Sequence, residues 1–181
     1  GDQFFSAALE GNTPELFSVR PEYIAPRPLG LRGVHLLAVS SSGELAVLTG
    51  ARHIAHCTFT GTLARLPLEG EAPREVLEDV RDADWSPDGS ALAIIREVGG
   101  KDRLEYPIGK VLFESGGYLS DLRFSPRGDR IAFFDHPVKW DDRGSVKVVS
   151  LSGRVTELSG GYAAEEGLAW SPDGRLIYFS G

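Results

Sequence analysis

The chain has 181 residues, a length suited to one domain or to a large part of one. Hydrophobic residues make up 41% and charged residues 25%, as in globular rather than disordered proteins. The 22 glycines and 11 prolines interrupt the chain too often for an all-helical protein. A net charge of −7 without clusters of Lys or Arg argues against nucleic-acid binding.

The sequence shows no segment that would insert into a membrane. No apolar run approaches the ~18 residues that a membrane-spanning helix needs, and no signal peptide is recognisable. Because the chain contains no methionine, it does not begin at a translation start, and we expect the native protein to extend beyond both ends. The single cysteine, Cys57, allows no internal disulfide and no thiolate metal cluster.

Short apolar segments predict β-strands along the whole chain. In chain order they cover residues 3–9, 15–19, 27–31, 45–48, 62–67, 74–78, 92–95, 103–107, 110–113, 131–134, 145–150, 155–158, 167–171 and 175–180. An amphipathic helix over residues 74–85 is the alternative there, because Val76, Leu77 and Val80 have helical spacing. The strand is favoured because the corresponding segment at residues 154–159 is too short for a helix.

One motif occurs three times in the second half of the chain. It reads DADWSPDG at residues 82–89, DLRFSPRG at 121–128 and GLAWSPDG at 167–174, and a degenerate copy, LAVSSSG, lies at 37–43. Pro fixes φ and Gly accepts a positive φ, so Ser-Pro-x-Gly predicts a tight turn in which Asp88 and Asp173 serve the turn itself. Each copy therefore predicts a hairpin of two apolar strands.

The large apolar residue before each turn is predicted to pack in the core. These residues, Val39, Trp85, Phe124 and Trp170, are 46, 39 and 46 positions apart. That period suits a four-stranded propeller blade and is too long for a leucine-rich or ankyrin repeat.

These motifs resemble the WD-repeat-like propeller of the TolB type, whose blades carry an apolar strand, Ser-Pro-Asp-Gly and a second apolar strand. The resemblance covers nearly the whole chain and implies an all-β propeller of four-stranded antiparallel blades. The segments TLARLPL (62–68) and PREVLEDV (73–80) are similar to a subgroup joined to bacterial membrane-bound serine/threonine protein kinases as the sensor half. This implies an extracytoplasmic or periplasmic location, with kinase chemistry outside the chain.

We predict a single propeller domain over residues 1–181, with about four to five blades in a small or incomplete ring. The approximate blades are 3–34 (partial), 35–81, 82–118, 119–166 and 167–181 (partial). Unpaired strand edges are a template for association. We therefore expect the two partial blades to pair within one chain, joining residues 3–9 to 175–180. The alternatives are pairing between chains in a homo-oligomer, or missing strands supplied by the full-length protein.

The sequence contains no recognisable catalytic set, so we predict that this chain is not an enzyme. A Gly-x-Ser-x-Gly nucleophile elbow and the kinase motifs are absent. The most metal-like cluster is His53, His56 and Cys57, but zinc needs three or four convergent ligands and no Cys-x-x-Cys pair occurs elsewhere. We expect a polar loop there, and no metal or other cofactor. Cys57 is disfavoured as a nucleophile because neighbouring strand residues point to opposite faces.

Two acidic pairs, Asp141-Asp142 and Glu165-Glu166, suggest the two carboxylates of a glycosidase. Neighbours in sequence diverge in direction, so a working pair would have to come from different loops. We interpret both pairs as solvated loop charge.

One face of the predicted propeller is the candidate binding surface. Loops between second and third strands, and between consecutive blades, emerge together on it, and they are rich in aromatic and basic residues, as recognition surfaces are. The candidate ligand-binding residues are Arg32, Arg52, His53, His56, Lys101, Arg103, Tyr106, Tyr118, His136, Lys139, Trp140, Asp141 and Tyr162.

The leading hypothesis is a non-catalytic propeller that binds a peptide, glycan or protein, as the sensor or interaction domain of a larger bacterial signalling protein. The alternative is the substrate-gating propeller of a prolyl-oligopeptidase-like serine peptidase or another hydrolase. A kinase signature followed by an apolar span of ~20 residues in the full-length protein would support the first. A downstream Gly-x-Ser-x-Gly would support the second.

Overall fold

The computed structural model describes residues 3–7, 13–55, 58–67 and 72–181, and all regular elements within these ranges are β-strands. Within them, no helix is long and apolar enough to cross a membrane. The strands are β1 (Gln3–Ala7), β2 (Glu15–Val19), β3 (Arg27–Arg32), β4 (His35–Val39), β5 (Leu45–Ala55), β6 (Thr58–Leu66), β7 (Arg74–Trp85), β8 (Leu92–Val98), β9 (Lys101–Glu105), β10 (Val111–Ser115), β11 (Tyr118–Phe124), β12 (Arg130–His136), β13 (Gly144–Ser150), β14 (Val155–Tyr162), β15 (Glu166–Trp170) and β16 (Ile177–Ser180).

The strands pair antiparallel and in chain order. β1 to β3 form a three-stranded sheet, β4 to β10 one seven-stranded sheet, β11 to β14 a four-stranded sheet, and β15 and β16 a hairpin. The all-β prediction is confirmed. The predicted blade boundaries stay a prediction, because hydrogen bonding runs without a break from β4 to β10.

β7 pairs with two different strands along its length. Its first part pairs with β6, where Leu77 lies opposite Leu63. Its last part pairs with β8, where Trp85 lies opposite Leu92. Between the two parts Asp79 has a φ of 58°, in the left-handed region, which turns the strand from one partner to the other. This segment is therefore a strand and not the helix considered as the alternative, and its backbone pairs on both sides.

The repeated motifs form closely similar turns. In the first, the backbone N–H of Ser86 donates to the carbonyl of Ala91 (2.8 Å) and Gly89 closes the turn with a φ of 69°. Asp88 accepts hydrogen bonds from the Ser86 hydroxyl (2.6 Å) and the backbone N–H of Ser90 (3.1 Å), which hold its pKa below the usual value. The predicted turn role of this aspartate is confirmed.

The core lies between neighbouring sheets. Trp85 is 4% exposed and belongs to one apolar cluster with Leu48 and Leu63 of the preceding strands β5 and β6. Phe124, at the same position of the next motif, belongs to a second apolar cluster. Val39 is 45% exposed, so its prediction as a core residue is wrong. Trp85 and Phe124 pack against the sheet that precedes them in the chain. In the described residues, the sheet that precedes Val39 has only three strands.

The first and last strands do not pair with each other. Among the described residues, β1 pairs only with β2, and β16 only with β15. The prediction that residues 3–9 join residues 175–180 is therefore wrong for 3–7, while 8 and 9 lie outside the described residues. β1 packs instead on the next inner strand: the Ser6 hydroxyl hydrogen-bonds His35 Nδ1 (3.0 Å) and accepts from the Leu36 N–H (3.2 Å).

Candidate binding site

The inner strands, which are β4, residues 80–85 of β7, β11 and β15, begin at one end of the molecule. The cavity between their first residues, here called the channel-mouth cavity, measures about 210 Å³. It is lined by His35, Leu36, Leu37, Thr58, Phe59, Arg81, Asp82, Tyr118, Ser120, Asp121, Arg123, His136, Asp142, Glu165 and Glu166.

An aromatic stack forms one wall of this cavity. The rings of Tyr118 and His136 are parallel, with centroids 4.0 Å apart, and the Trp140 ring lies 5.3 Å from Tyr118. Gly117 permits this approach, since a Cβ there would come within 1.8 Å of the His136 carbonyl oxygen. His136 Nε2 hydrogen-bonds the Ser120 hydroxyl at 3.0 Å, which fixes the imidazole orientation.

Two aspartates on β7 join neighbouring inner strands. Asp82 accepts a hydrogen bond from the N–H of Leu122 (2.8 Å), and Asp84 accepts one from the N–H of Phe124 (2.8 Å). Each also accepts from the residue that follows it, at 2.8 and 2.9 Å. Burial raises the pKa of Asp82 to about 7 and shifts that of Asp84 upward. These carboxylates are fully used in holding β7 and β11 together.

Arg81 is a buried cation at the cavity wall. It forms an ion pair with Asp102, which also accepts a hydrogen bond from the N–H of Leu119 (2.9 Å). Its guanidinium lies 5.6 Å from the centre of the Trp140 ring. Its Nε and Nη1 have no acceptor among the described residues, so this side chain retains donors that the fold does not use.

Glu165 is a buried carboxylate without a partner. It is only 5% exposed, neither oxygen has a donor among the described residues, and burial raises its pKa to about 7. A Cβ on Gly144 would lie 2.6 Å from Glu165 Oε2 and 2.9 Å from His136 Nδ1, so both atoms face the same place. Like that carboxylate, His136 Nδ1 has no partner among the described residues, and burial lowers the His136 pKa.

The electrostatic field at the cavity is negative. Burial, with the carboxylates of Asp142, Asp141, Asp121 and Glu165, raises the pKa of Tyr118 to about 12. The phenol thus resists ionisation first because it is buried and second because negative charge surrounds it. Within the described residues, no group of three or more His, Cys, Asp and Glu side chains is arranged to hold a metal ion.

Comparisons with known proteins decide the fold. No protein-family model and no curated protein matches the sequence. A solved structure described as TolB from Agrobacterium tumefaciens matches 99% of this chain and 71% of its own, with a TM-score of 0.73 and 16% identity. TolB from Acinetobacter baumannii matches 94% of this chain and 43% of its own (TM-score 0.69, 17% identity). The chain has a TolB-like β-propeller fold.

The same propeller fold occurs in a chain of the nidogen/laminin complex. That chain shares 11% identity with this one, over 99% of this chain and 70% of its own, with a TM-score of 0.68. The prediction of an all-β propeller with antiparallel blades is confirmed, and the sheets of the described residues are compatible with the small or incomplete ring that was predicted. At these identities the likeness establishes the fold and leaves the function to be argued from the site.

Part of the predicted loop face comes together at the cavity. Tyr118 and His136 line it, and the Trp140 ring packs against Tyr118 at a tilt of 33°. Asp141 follows in the same loop, where Arg143 pairs with it (2.5 Å) and holds its pKa far below the usual value. Their role as ligand-binding residues stays a prediction.

Other predicted residues lie away from the cavity. Lys101 and Arg103 both bind Glu114 of β10, at 2.7 and 2.9 Å. Lys139 binds Glu97 (2.9 Å). These cations are engaged within the propeller, which leaves them less available to a ligand.

The long β5–β6 hairpin carries a further group of predicted residues. Arg52 lies opposite Thr60 on it, and the ring of His53 meets the edge of Phe59, itself a cavity residue, at 5.5 Å. His56 and Cys57 lie outside the described residues. Arg32 ends β3, opposite Glu15.

Two predicted tyrosines are placed elsewhere. β9 begins next to the last residues of β8 and runs antiparallel back along it. Tyr106, which follows β9, therefore lies near the Ser-Pro-Asp-Gly turn at the other end of β8, with its ring 4.9 Å from Phe124. The expectation that Tyr106 belongs to the loop face is wrong for this reason. Tyr162 ends β14, where its hydroxyl hydrogen-bonds Ser159 (2.8 Å) and its ring contacts Phe179.

Arg81 was not predicted as a site residue from the sequence, and the interpretation of Glu165 as solvated charge is wrong. Glu166 is exposed, as solvated charge should be, but Glu165 is buried. The burial of Glu165 could have been predicted from the position of the Glu165-Glu166 pair at the start of an inner strand, because successive side chains of a strand point to opposite faces. One of two adjacent glutamates must then turn inward.

Proposed function

We propose that this propeller is a non-catalytic domain that binds a protein partner at the channel-mouth cavity. The observation that carries the proposal is the aromatic cluster of Trp140, Tyr118 and His136 beside a cavity in which several buried polar atoms have no partner among the described residues. Aromatic side chains dominate binding energy at protein interfaces, and unpaired buried polar atoms cost free energy until something pairs with them. A docking segment of a partner would cover the aromatic side chains and pair with the polar atoms.

The likeness to a chain of the nidogen/laminin complex supports this proposal, because that structure is by description an assembly of two proteins. The face used in this chain is argued from its own cavity alone.

Catalysis is the weaker interpretation of the same residues. The Ser120 hydroxyl lies 3.0 Å from His136 Nε2, which resembles a nucleophile beside a base. A working triad also needs a carboxylate that orients the imidazole through its other nitrogen. In the described residues no carboxylate hydrogen-bonds His136 Nδ1, and Glu165 accepts no hydrogen bond. The arrangement therefore favours binding.

A more specific role, that of a sensor domain, rests on the resemblance of residues 62–68 and 73–80 to the kinase-associated subgroup. Within the proposal, the domain is the extracytoplasmic sensor of a bacterial membrane-bound serine/threonine kinase. Sequencing the complete gene tests this role. A kinase domain followed by one apolar span supports it, and a downstream Gly-x-Ser-x-Gly instead supports a gating propeller of a serine peptidase.

Peptide display tests the binding proposal directly. Peptides selected on the purified chain from a random library are titrated against the wild type, Trp140→Ala and the control Tyr178→Ala, which removes an exposed aromatic outside the cavity. We expect Trp140→Ala to weaken binding about tenfold or more, as at interface hot spots, and Tyr178→Ala to leave it unchanged. Equal effects of the two substitutions would contradict the proposed face.

A further inference from the structure

Glu165 supplies the starting point, because its buried carboxylate has no hydrogen-bond partner among the described residues. Carboxylates this deeply buried are normally paired or hydrogen-bonded, since desolvation of an isolated charge is costly. Asp82 and Asp102 at the same end of the propeller obey this rule. Both oxygens of Glu165 lack donors among the described residues, although the residue lines a cavity. A ligand that brings donors would remove this deficit.

The charges around the cavity select a cationic ligand. Five carboxylates line it, against two guanidinium groups. One of these, Arg81, is paired with Asp102, and the other, Arg123, donates to the backbone carbonyl of Leu122 (2.6 Å). Carboxylates of this cavity also add to the effect of burial in raising the pKa of Tyr118. An anionic ligand would meet repulsion here, and a cation would be attracted.

The size of the cavity limits the ligand to a single side chain. Sites for drug-sized ligands usually measure about 300 to 1,000 Å³, and this one measures about 210 Å³. The charged head of a lysine or arginine with its methylene groups fits such a volume. The unpartnered Nε and Nη1 of Arg81 suit a backbone carbonyl oxygen in the same segment.

We propose that the channel-mouth cavity binds a lysine or arginine side chain of the partner protein, with Glu165 as its counter-ion. This inference rests on the proposed function, and it names the chemical group by which the partner is recognised. Arg81 is then a positioning residue that takes the main-chain carbonyl of the bound segment.

A pair of short peptides tests the inference. N-acetylated, C-amidated Gly-Gly-Lys-Gly-Gly and its norleucine analogue differ only in charge, and binding is followed by the NMR shift of the Trp140 indole. We expect the lysine peptide to bind about tenfold or more tightly, the gain typical of a hydrogen bond to a charged group. Equal affinities, or no shift with either peptide, would overturn the inference.

Variants at two adjacent glutamates identify the counter-ion. Glu165→Gln should abolish the preference for lysine, Glu165→Asp should keep part of it, and Glu166→Gln, at an exposed position, should keep it within about twofold. Thermal melting of each variant checks that it folds. A preference that survives Glu165→Gln in a folded protein would overturn the role of Glu165.

The display selection separates this inference from the proposed function. Selected peptides that require Trp140 but are not enriched in Lys or Arg would refute the basic-side-chain inference and leave the proposed function standing. Peptides that bind independently of Trp140 would refute the proposed function itself. Enrichment of basic residues among Trp140-dependent peptides supports both.

Discussion

Asp82 and Glu165 both lie at the cavity mouth, and burial raises the pKa of each to about 7, yet they differ in what surrounds them. Asp82 accepts two backbone hydrogen bonds and links neighbouring inner strands. Glu165 accepts none from the described residues. A raised pKa therefore reports burial in both cases, and only the count of hydrogen-bond partners separates a structural carboxylate from one left for a ligand.

The same contrast extends to the two ends of the propeller. At the turn end, the serine hydroxyls and turn aspartates of the repeats satisfy one another, as Ser125 and Asp129 do at 2.7 Å. Buried side-chain atoms without partners in the described residues belong mostly to Arg81, His136 and Glu165 at the channel mouth, with Trp85 Nε1 as the exception. The turn end thus stabilises the fold, and the mouth retains unused binding capacity.

The largest expected effect is at the core residue of the turn end. Trp85→Ala should lower the free energy of unfolding by roughly 3 to 5 kcal/mol, because it removes a buried indole and leaves a cavity between two sheets. Urea denaturation monitored by circular dichroism measures this. A loss below ~1 kcal/mol would show that the packing of Trp85 contributes little to stability.

The next effect concerns the structural carboxylate. Asp82→Ala should cost roughly 1 to 3 kcal/mol, since the N–H of Leu122 and that of Ala83 lose their shared acceptor. The same urea titration gives the value at pH 4, well below the folded pKa of about 7, where the cost of burying the charge is small. If Asp82→Ala proved no more destabilising than Glu165→Gln, the distinction between the two carboxylates would fail.

A smaller and opposite effect is expected at Glu165. Its folded pKa of about 7 exceeds the ordinary glutamate value of 4.5, so between these values the native state holds a proton that the unfolded state has released. Stability is then lost as the pH rises through 7. Glu165→Gln removes this loss, so the variant should gain stability relative to the wild type between pH 5 and pH 8. A pH-independent difference would contradict the burial of this charge.

The smallest effect is expected one residue further on. Glu166→Gln changes an exposed side chain and should alter the unfolding free energy by less than about 0.5 kcal/mol at either pH. Melting curves of the two adjacent variants, recorded side by side, make the comparison. If the stability of Glu166→Gln depended on pH as strongly as that of Glu165→Gln, the assignment of the buried charge to Glu165 would be wrong.

The fold was largely predictable because its signals are local. Three copies of one turn motif at a blade-like period identify the propeller, and the structure places closely similar turns at all three. Burial of particular side chains was less predictable. Val39 occupies the same motif position as Trp85 but is 45% exposed, and local sequence does not distinguish the two environments.

The site was predictable only where loop residues form it. Tyr118, His136 and Trp140 were identified from loop composition, and they form the aromatic wall. Arg81 and Glu165 depend on contacts between different blades, which no local pattern reveals. Tyr106 was misplaced because the direction in which its strand runs follows from pairing with β8 and not from its own sequence.

The continuity of β7 has a consequence for how the propeller opens. One uninterrupted strand carries hydrogen bonds to β6 along its first part and to β8 along its last part. Neither blade can come apart without disturbing a strand that the other needs. Local unfolding should therefore involve β5 to β9 as one cooperative unit, and the slowest-exchanging amide protons of both blades should report a common opening free energy.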